Sequence, residues 1–220
     1  MTSVDLRLNA IIDPAVAGGH DMVDLARRVA AGGATLVQLR DKRGQTRAMV
    51  EEARTIKAAL IPFKVPLVIN DRVDVALAAG ADGVHVGQDD MAATDARRLL
   101  GATAIIGLSI TSIAEAEAAP VECIDYVGIG SIYATASKQL AKPPIGPAGF
   151  ARIAAVLRQR APAMPACGIA GINADNAGAV IAHGADGVAV ISALSLTPDP
   201  AGAARALREI IDGMLAKRGT

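Results

Sequence analysis

Eight short runs rich in β-branched residues punctuate the 220-residue chain: RLNAIID, TLVQLR, PLVIND, GVHVGQ, AIIGLSI, YVGIGSIY, ACGIAGI and GVAVISAL. Between them lie Ala-rich segments with helical spacing, such as DMVDLARRVAAGG, TRAMVEEARTIKAAL, ATDARRLLG, SIAEAEAA, GFARIAAVLRQRA and NADNAGAVIAHG, and PAGAARALREIIDGML follows the last run. Strands joined by helical crossovers lie parallel, because each crossover returns the chain to the same end of the sheet. Eight such units in 220 residues predict an α/β chain closed into a (β/α)8 TIM barrel, with residues 1–220 forming a single domain. The segments AAGADGVHV and AHGADGVAV, before the fourth and eighth runs, echo each other as Gly-rich turns and suggest repeated half-barrel construction.

Composition narrows the partners. A hydrophobic share of 52% with 20% charged residues supports a large core and argues against disorder. Lys plus Arg equals Asp plus Glu at 22 each, so no global field favours nucleic acid or an anionic membrane, and any phosphate affinity must be local. Two Phe, two Tyr and no Trp leave little for stacking on exposed bases. Cys123 and Cys167 form no CxxC and read as small buried side chains. No stretch approaches the roughly 18 uninterrupted apolar residues of a membrane span, and MTSVDLRLNAIID lacks a basic flank ahead of a long apolar segment. The expectation is a soluble cytoplasmic protein acting on small molecules.

In a barrel of this kind the C-terminal strand ends carry the site, and here the polar residues collect late in the strands. In QLRDK, Gln38, Arg40 and Lys42 share one face of an extended chain, with Val37, Leu39 and Asp41 on the other. A fork and a point charge on one inward face suit a diphosphate. The third run ends in Asn70 and Asp71, and Asp71 has the chemistry of a helix cap. Asp90, at the end of the neighbouring run, places a second carboxylate over the same rim; Asp89 satisfies the spacing equally. Hard oxygen ligands without Cys or paired His favour Mg²⁺, which keeps waters and bridges carboxylates to phosphates. His85 reads as a satisfied interior residue. The segment GIGSIYATASKQLAKPPIG leaves the helical pattern for a long polar loop, in which Thr135, Ser137 and Lys138 offer two hydroxyls and a cation to a second anion. Gly171, shortly before Asn173 as a candidate helix cap, and Ile191 with Ser192 complete a monophosphate subsite after the seventh and eighth runs.

Taken in order, QLRDK, INDRVDVALAAGADGVHVGQDD, GLS, YVGIGSIYATASK, GIAGI and ISA resemble the thiamine-phosphate synthase family through almost the entire chain, most specifically in INDRVDVALAAGADGVHVGQDD. The resemblance implies a (β/α)8 transferase that joins a hydroxymethylpyrimidine diphosphate to a thiazole phosphate and releases pyrophosphate. It implies that Gln38, Leu39, Arg40, Asp41, Lys42, Asn70, Ser109 and Lys138 contact the pyrimidine diphosphate, with Arg40, Lys42, Ser109 and Lys138 as the catalytic set. Asp71 and Asp90 would hold one Mg²⁺, and Thr135, Ala136 and Ser137, with Gly171, Ile191 and Ser192, the thiazole phosphate. The chain departs from the family pattern at Ala134, Ser137 and Ala170, where the family often has Pro, Thr and Gly. Arg40, Lys42, Asp71 and Asp90 argue against the related thiazole tautomerases, which need neither diphosphate nor metal. A non-catalytic phospholigand sensor would bind both substrates without turnover. Homo-oligomerisation is left open by the sequence.

Overall fold

The computed structural model describes residues 4–135 and 143–219. Strands β1 (Leu8–Ile12), β2 (Leu36–Leu39), β3 (Leu67–Asn70), β4 (Gly83–Val86), β5 (Ile105–Ile110), β6 (Tyr126–Ile129), β7 (Ala166–Ile169) and β8 (Gly187–Val190) close into a parallel barrel in sequence order. Helices α1 (Met22–Ala31), α2 (Thr46–Leu60), α3 (Val73–Ala79), α4 (Ala93–Leu100), α5 (Ile113–Ala118), α6 (Gly146–Arg160) and α7 (Ala177–Ala182) form the crossovers, and α9 (Pro200–Arg218) packs against α1 and α7. All eight expected strands are present. The eighth run divides, however: its strand stops at Val190, and Ser192–Ser195 form a short helix, α8, because Ile191 leaves the extended conformation at φ −114°, ψ −80°.

Alternation along each strand separates two cores. Val37, Leu39, Ile69, Val84, Val86, Leu108, Val127 and Val188 point outward and pack with Leu25, Ile56, Phe150 and Ile211 of the helices. Ile11, Leu36, Val68, Ile105, Tyr126, Cys167 and Ala189 fill the barrel axis. Cys167 is fully buried there, which pushes its thiol up to about 12, and it makes no disulfide with the part-exposed Cys123. That is the small buried side chain expected from sequence for Cys167, whereas Cys123, expected to be buried as well, is part-exposed. Among the described residues no helix is long and apolar enough to cross a membrane.

The N-terminal end of the barrel is fastened by one device used four times. Thr35, Asp82, Asp125 and Asp186 each precede an even-numbered strand, and each donates its backbone N–H to the carbonyl of a residue on the preceding strand: Leu8, Leu67, Ile106 and Ala166, at 2.8–2.9 Å. The side-chain oxygen of the same residue then accepts that partner's N–H, at 3.0, 2.9, 2.9 and 3.0 Å. These reciprocal clasps join β1 to β2, β3 to β4, β5 to β6 and β7 to β8. Three of them also hold a cation from the helix that precedes the strand pair: Lys57 of α2, Arg97 of α4 and Arg158 of α6. The echo between GADGVHV and GADGVAV is two instances of this clasp, so the repeating unit is a strand pair rather than a half-barrel.

Candidate active site

A cavity opens at the C-terminal mouth, lined by Ile11, Gln38, Arg40, Asn70, His85 and Ser109 on one arc and by Thr135, Ile169–Ile172 and Ala189–Ser192 on the other. A more open depression lies at the opposite end, but its cations are spent: Arg7 meets Asp5 at 2.5 Å, and Arg158 and Arg218 meet Asp186 at 3.1 and 2.9 Å. The mouth is where polar groups face open space.

Alternation along β2 puts Gln38 into the barrel and Arg40 over its rim. Arg40 is held there by Asp13, whose side chain is only 2% exposed and whose other bond, at 2.8 Å, caps the turn after β1 through the Ala15 N–H. A fixed carboxylate behind the guanidinium orients it toward the mouth. Lys42 lies farther out and pairs with Asp71. Two members of the QLRDK motif are turned away. Leu39 is buried in the outer layer, and the Asp41 carboxylate is occupied by the N–H groups of Arg43 and Gly44, at 2.8 and 2.7 Å, shaping the turn into α2. Neither side chain lines the cavity.

Asp71 does not cap α3, whose N-cap is Arg72 without a side-chain bond. It takes a left-handed conformation, φ 64°, one that Asp tolerates, while its N–H donates to the His85 carbonyl at 2.8 Å. This turns its carboxyl toward the rim of β4, where it faces the carboxyl of Asp90. Asp90 is fixed in turn by the Gly87 N–H at 2.7 Å, and Asp89 points into solvent. Burial, followed by the facing Asp90, pushes the Asp71 carboxyl above its ordinary range against the pull of Lys42. Two carboxyls crowded together in this way call for a cation between them. Their hard oxygens, with no Cys or His ligand grouped beside them among the described residues, fit Mg²⁺ completed by water and substrate oxygens.

Behind these charges the cavity floor is polar and ordered. Asn70, His85, Gly107 and Tyr126 occupy one row across four strands. His85 bonds Tyr126 and Ser109, and the Gln88 amide donates to the Ser109 carbonyl at 2.7 Å. His85 is thus the satisfied interior residue expected, yet it also lines the cavity.

On the far arc, Gly171 has φ 66°, and a Cβ there would stand 2.4 Å from the Ala134 carbonyl oxygen. Glycine is required on both counts, because the loops after β6 and β7 touch at this point. Ala170, with φ 80°, holds a left-handed conformation in spite of its methyl. Asn173 does not cap α7; its side chain accepts the Asp175 N–H at 2.9 Å, while Asn176 reaches back to the Gly171 carbonyl at 3.0 Å. Thr135, Gly171, Ile191 and Ser192 all line this arc. Ala136, Ser137 and Lys138 lie outside the described residues. The sequence reading missed Asp13 and Tyr126. The signal for Asp13 was its inward parity with Ile11, and for Tyr126 its being one of only two tyrosines, on a strand otherwise made of small and aliphatic residues.

The family model for thiamine monophosphate synthase matches residues 8–194. The chain is 50% identical to a thiamine-phosphate synthase of Agrobacterium fabrum over 99% of each chain. It is 46% identical to a thiamine-phosphate synthase of Moorella thermoacetica over 93% of this chain and 95% of the other. A solved structure of a thiamine phosphate pyrophosphorylase from Pyrococcus furiosus superimposes with a TM-score of 0.84 at 36% identity, covering 96% of this chain and 98% of that one. A barrel whose mouth joins a cationic, dicarboxylate arc to a glycine-bearing arc, matched at these levels from end to end, belongs to the thiamine monophosphate synthase family.

Proposed function

We propose that the protein is a thiamine-phosphate synthase: it transfers the pyrimidinylmethyl group of hydroxymethylpyrimidine diphosphate to the nitrogen of a thiazole phosphate, giving thiamine phosphate and pyrophosphate. The observation that carries this reading is the convergence of Arg40, Lys42, Asp71 and Asp90 on one side of a mouth whose other side offers Gly171, Ile191 and Ser192.

Gln38, Asn70 and Ser109 bind the pyrimidine, and Arg40 and Lys42 bind its diphosphate. The electron-rich aminopyrimidine stabilises positive charge at its exocyclic methylene as the C–O bond to pyrophosphate breaks. The electron pair leaves with pyrophosphate, and the thiazole nitrogen supplies a new pair to the same carbon. No protein nucleophile is needed. Arg40 and Lys42, with Lys138 from the loop after β6, stabilise charge growing on the leaving oxygens. Asp71 and Asp90 would hold Mg²⁺, which supplies Lewis-acid stabilisation of the departing diphosphate. Thr135, Ala136 and Ser137, with Gly171, Ile191 and Ser192, hold the thiazole phosphate so that the rings meet in line; holding reactants in register contributes several kcal/mol, up to about 10. Purified protein incubated with both substrates and Mg²⁺ is expected to form thiamine phosphate and pyrophosphate in equal amounts. Binding of both substrates without product would overturn the assignment in favour of a sensor.

A further inference from the structure

The Ser109 hydroxyl stands at the end of a hydrogen-bonded series that crosses the cavity floor. Its Oγ lies 2.9 Å from Nε2 of His85, and Nδ1 of the same ring lies 2.9 Å from the Tyr126 hydroxyl. The Gln38 amide approaches that phenol from β2. The fold makes room for this arrangement: a Cβ on Gly107 would stand 2.2 Å from Tyr126 Cζ and 2.4 Å from His85 Nδ1. Only glycine at that point lets the tyrosine on β6 reach over β5 to the histidine on β4.

The series has a direction. Tyr126 is 0% exposed, and burial pushes its ionisation well above the ordinary value, so the phenol keeps its one proton. The phenol's polar neighbours are this imidazole and the Gln38 amide, and an imidazole nitrogen is a better acceptor than an amide carbonyl. The phenol therefore gives its proton to the bond with Nδ1. A neutral ring that accepts at Nδ1 carries its hydrogen on Nε2, which then donates to Ser109 Oγ. With its oxygen occupied as an acceptor, Ser109 turns its own O–H into the cavity.

We infer that Tyr126 and His85 are positioning residues that fix Ser109 as a hydrogen-bond donor to an unprotonated ring nitrogen of the pyrimidine. The inference rests on the reading that the cavity takes an aminopyrimidine. It assigns Tyr126 a part in substrate selection although it sits beneath the site.

Long-range ¹H–¹⁵N NMR of the full chain reads the His85 tautomer directly, because His20 and His183 are the only other histidines and a His85→Gln spectrum identifies its signals. The expected result is a bare Nδ1 and a protonated Nε2 in the wild type, and mixed tautomers in Tyr126→Phe. In steady state, Tyr126→Phe and His85→Leu should raise KM for the pyrimidine diphosphate about tenfold, the worth of one hydrogen bond, and leave KM for the thiazole phosphate unchanged. His85→Gln keeps an N–H donor directed at Ser109 and should recover most of the loss. A wild-type ring protonated on Nδ1 would overturn the inference, even where a variant fails to fold. So would an unchanged pyrimidine KM in Tyr126→Phe, or an equal rise in both KM values, which marks a general structural role. A wild type that makes no thiamine phosphate would instead overturn the functional reading and leave the tautomer measurement standing.

Discussion

Asp71 shows how far one residue can be read from sequence. Its position after a strand and before a helix fits a cap equally well, and only the second carboxylate at Asp90 favours a metal role. The structure separates the two readings by backbone conformation: at φ 64° the side chain is aimed at the next strand's rim instead of the amides of α3. Asp13, the partner of Arg40, was hard to read for the same kind of reason: it shares the inward parity of Ile11, but an Asp preceding Pro14 reads as a turn former and its bond to Arg40 spans 27 positions. If Asp71 supplies half of the carboxylate pair, Asp71→Ala leaves Lys42 without its partner and Asp90 as a single ligand. The expected outcome is a fall in kcat of about 100-fold together with a rise of at least about tenfold in the Mg²⁺ needed for half-maximal rate. Lys138→Ala should lower kcat while leaving the Mg²⁺ requirement in place. Steady-state rates across a Mg²⁺ titration check both, and a kcat near wild type in both variants would remove these residues from the chemistry.

Among the elements, the strands were the most legible part of the chain, because most are short apolar runs with Val or Ile, set off from the helices by Gly, Asp or Pro nearby. The short helix α8 was not, since ISAL continues the apolar run of β8 and four residues carry no periodicity. The turn after β7 lay between these cases. GIAGI signals close backbone approach through its glycines, yet the sequence does not say which position bears the left-handed conformation. Ala170 and Gly171 both do, at φ 80° and 66°. A methyl in that region costs about 1 kcal/mol, so Ala170→Gly should stabilise the protein by roughly that amount and raise Tm by about 2–4 °C. Gly171→Ala should act in the opposite sense. It combines the same backbone strain, about 1–3 kcal/mol, with a Cβ placed 2.4 Å from the Ala134 oxygen, and it should also raise KM for the thiazole phosphate by pushing two lining loops apart. Thermal melts of the two variants test the pair; a lower Tm in Ala170→Gly would show that the loop does not relax as argued.

At the scale of the whole molecule the barrel divides its labour between its ends. The C-terminal rim spends polar groups on open space, and the N-terminal rim spends them on one another through the clasps at Thr35, Asp82, Asp125 and Asp186. The half-barrel echo visible in sequence understated this, because the clasp tolerates Thr for Asp, as in ATLVQ, and in IDYVG the clasp Asp lies outside any GADGV context. The clasps differ in burial: the side chain of Asp125 is 0% exposed, against 35% and 33% for Asp82 and Asp186. Removing a buried partner leaves an uncompensated charge on Arg97 and an unpaired Ile106 N–H, a loss of about 3–5 kcal/mol, whereas the exposed pairs are screened and each is worth about 1 kcal/mol. Asp125→Ala should therefore lower Tm by about 10 °C, with Asp82→Ala, Asp186→Ala and the uncharged Thr35→Ala each costing a few degrees. Since all four lie at the end of the barrel away from the mouth, kcat and both KM values measured well below the transition should stay at wild-type levels. A KM that moved together with Tm in Asp125→Ala would mean that the floor of the site is braced by the clasps, and that the two ends are not independent.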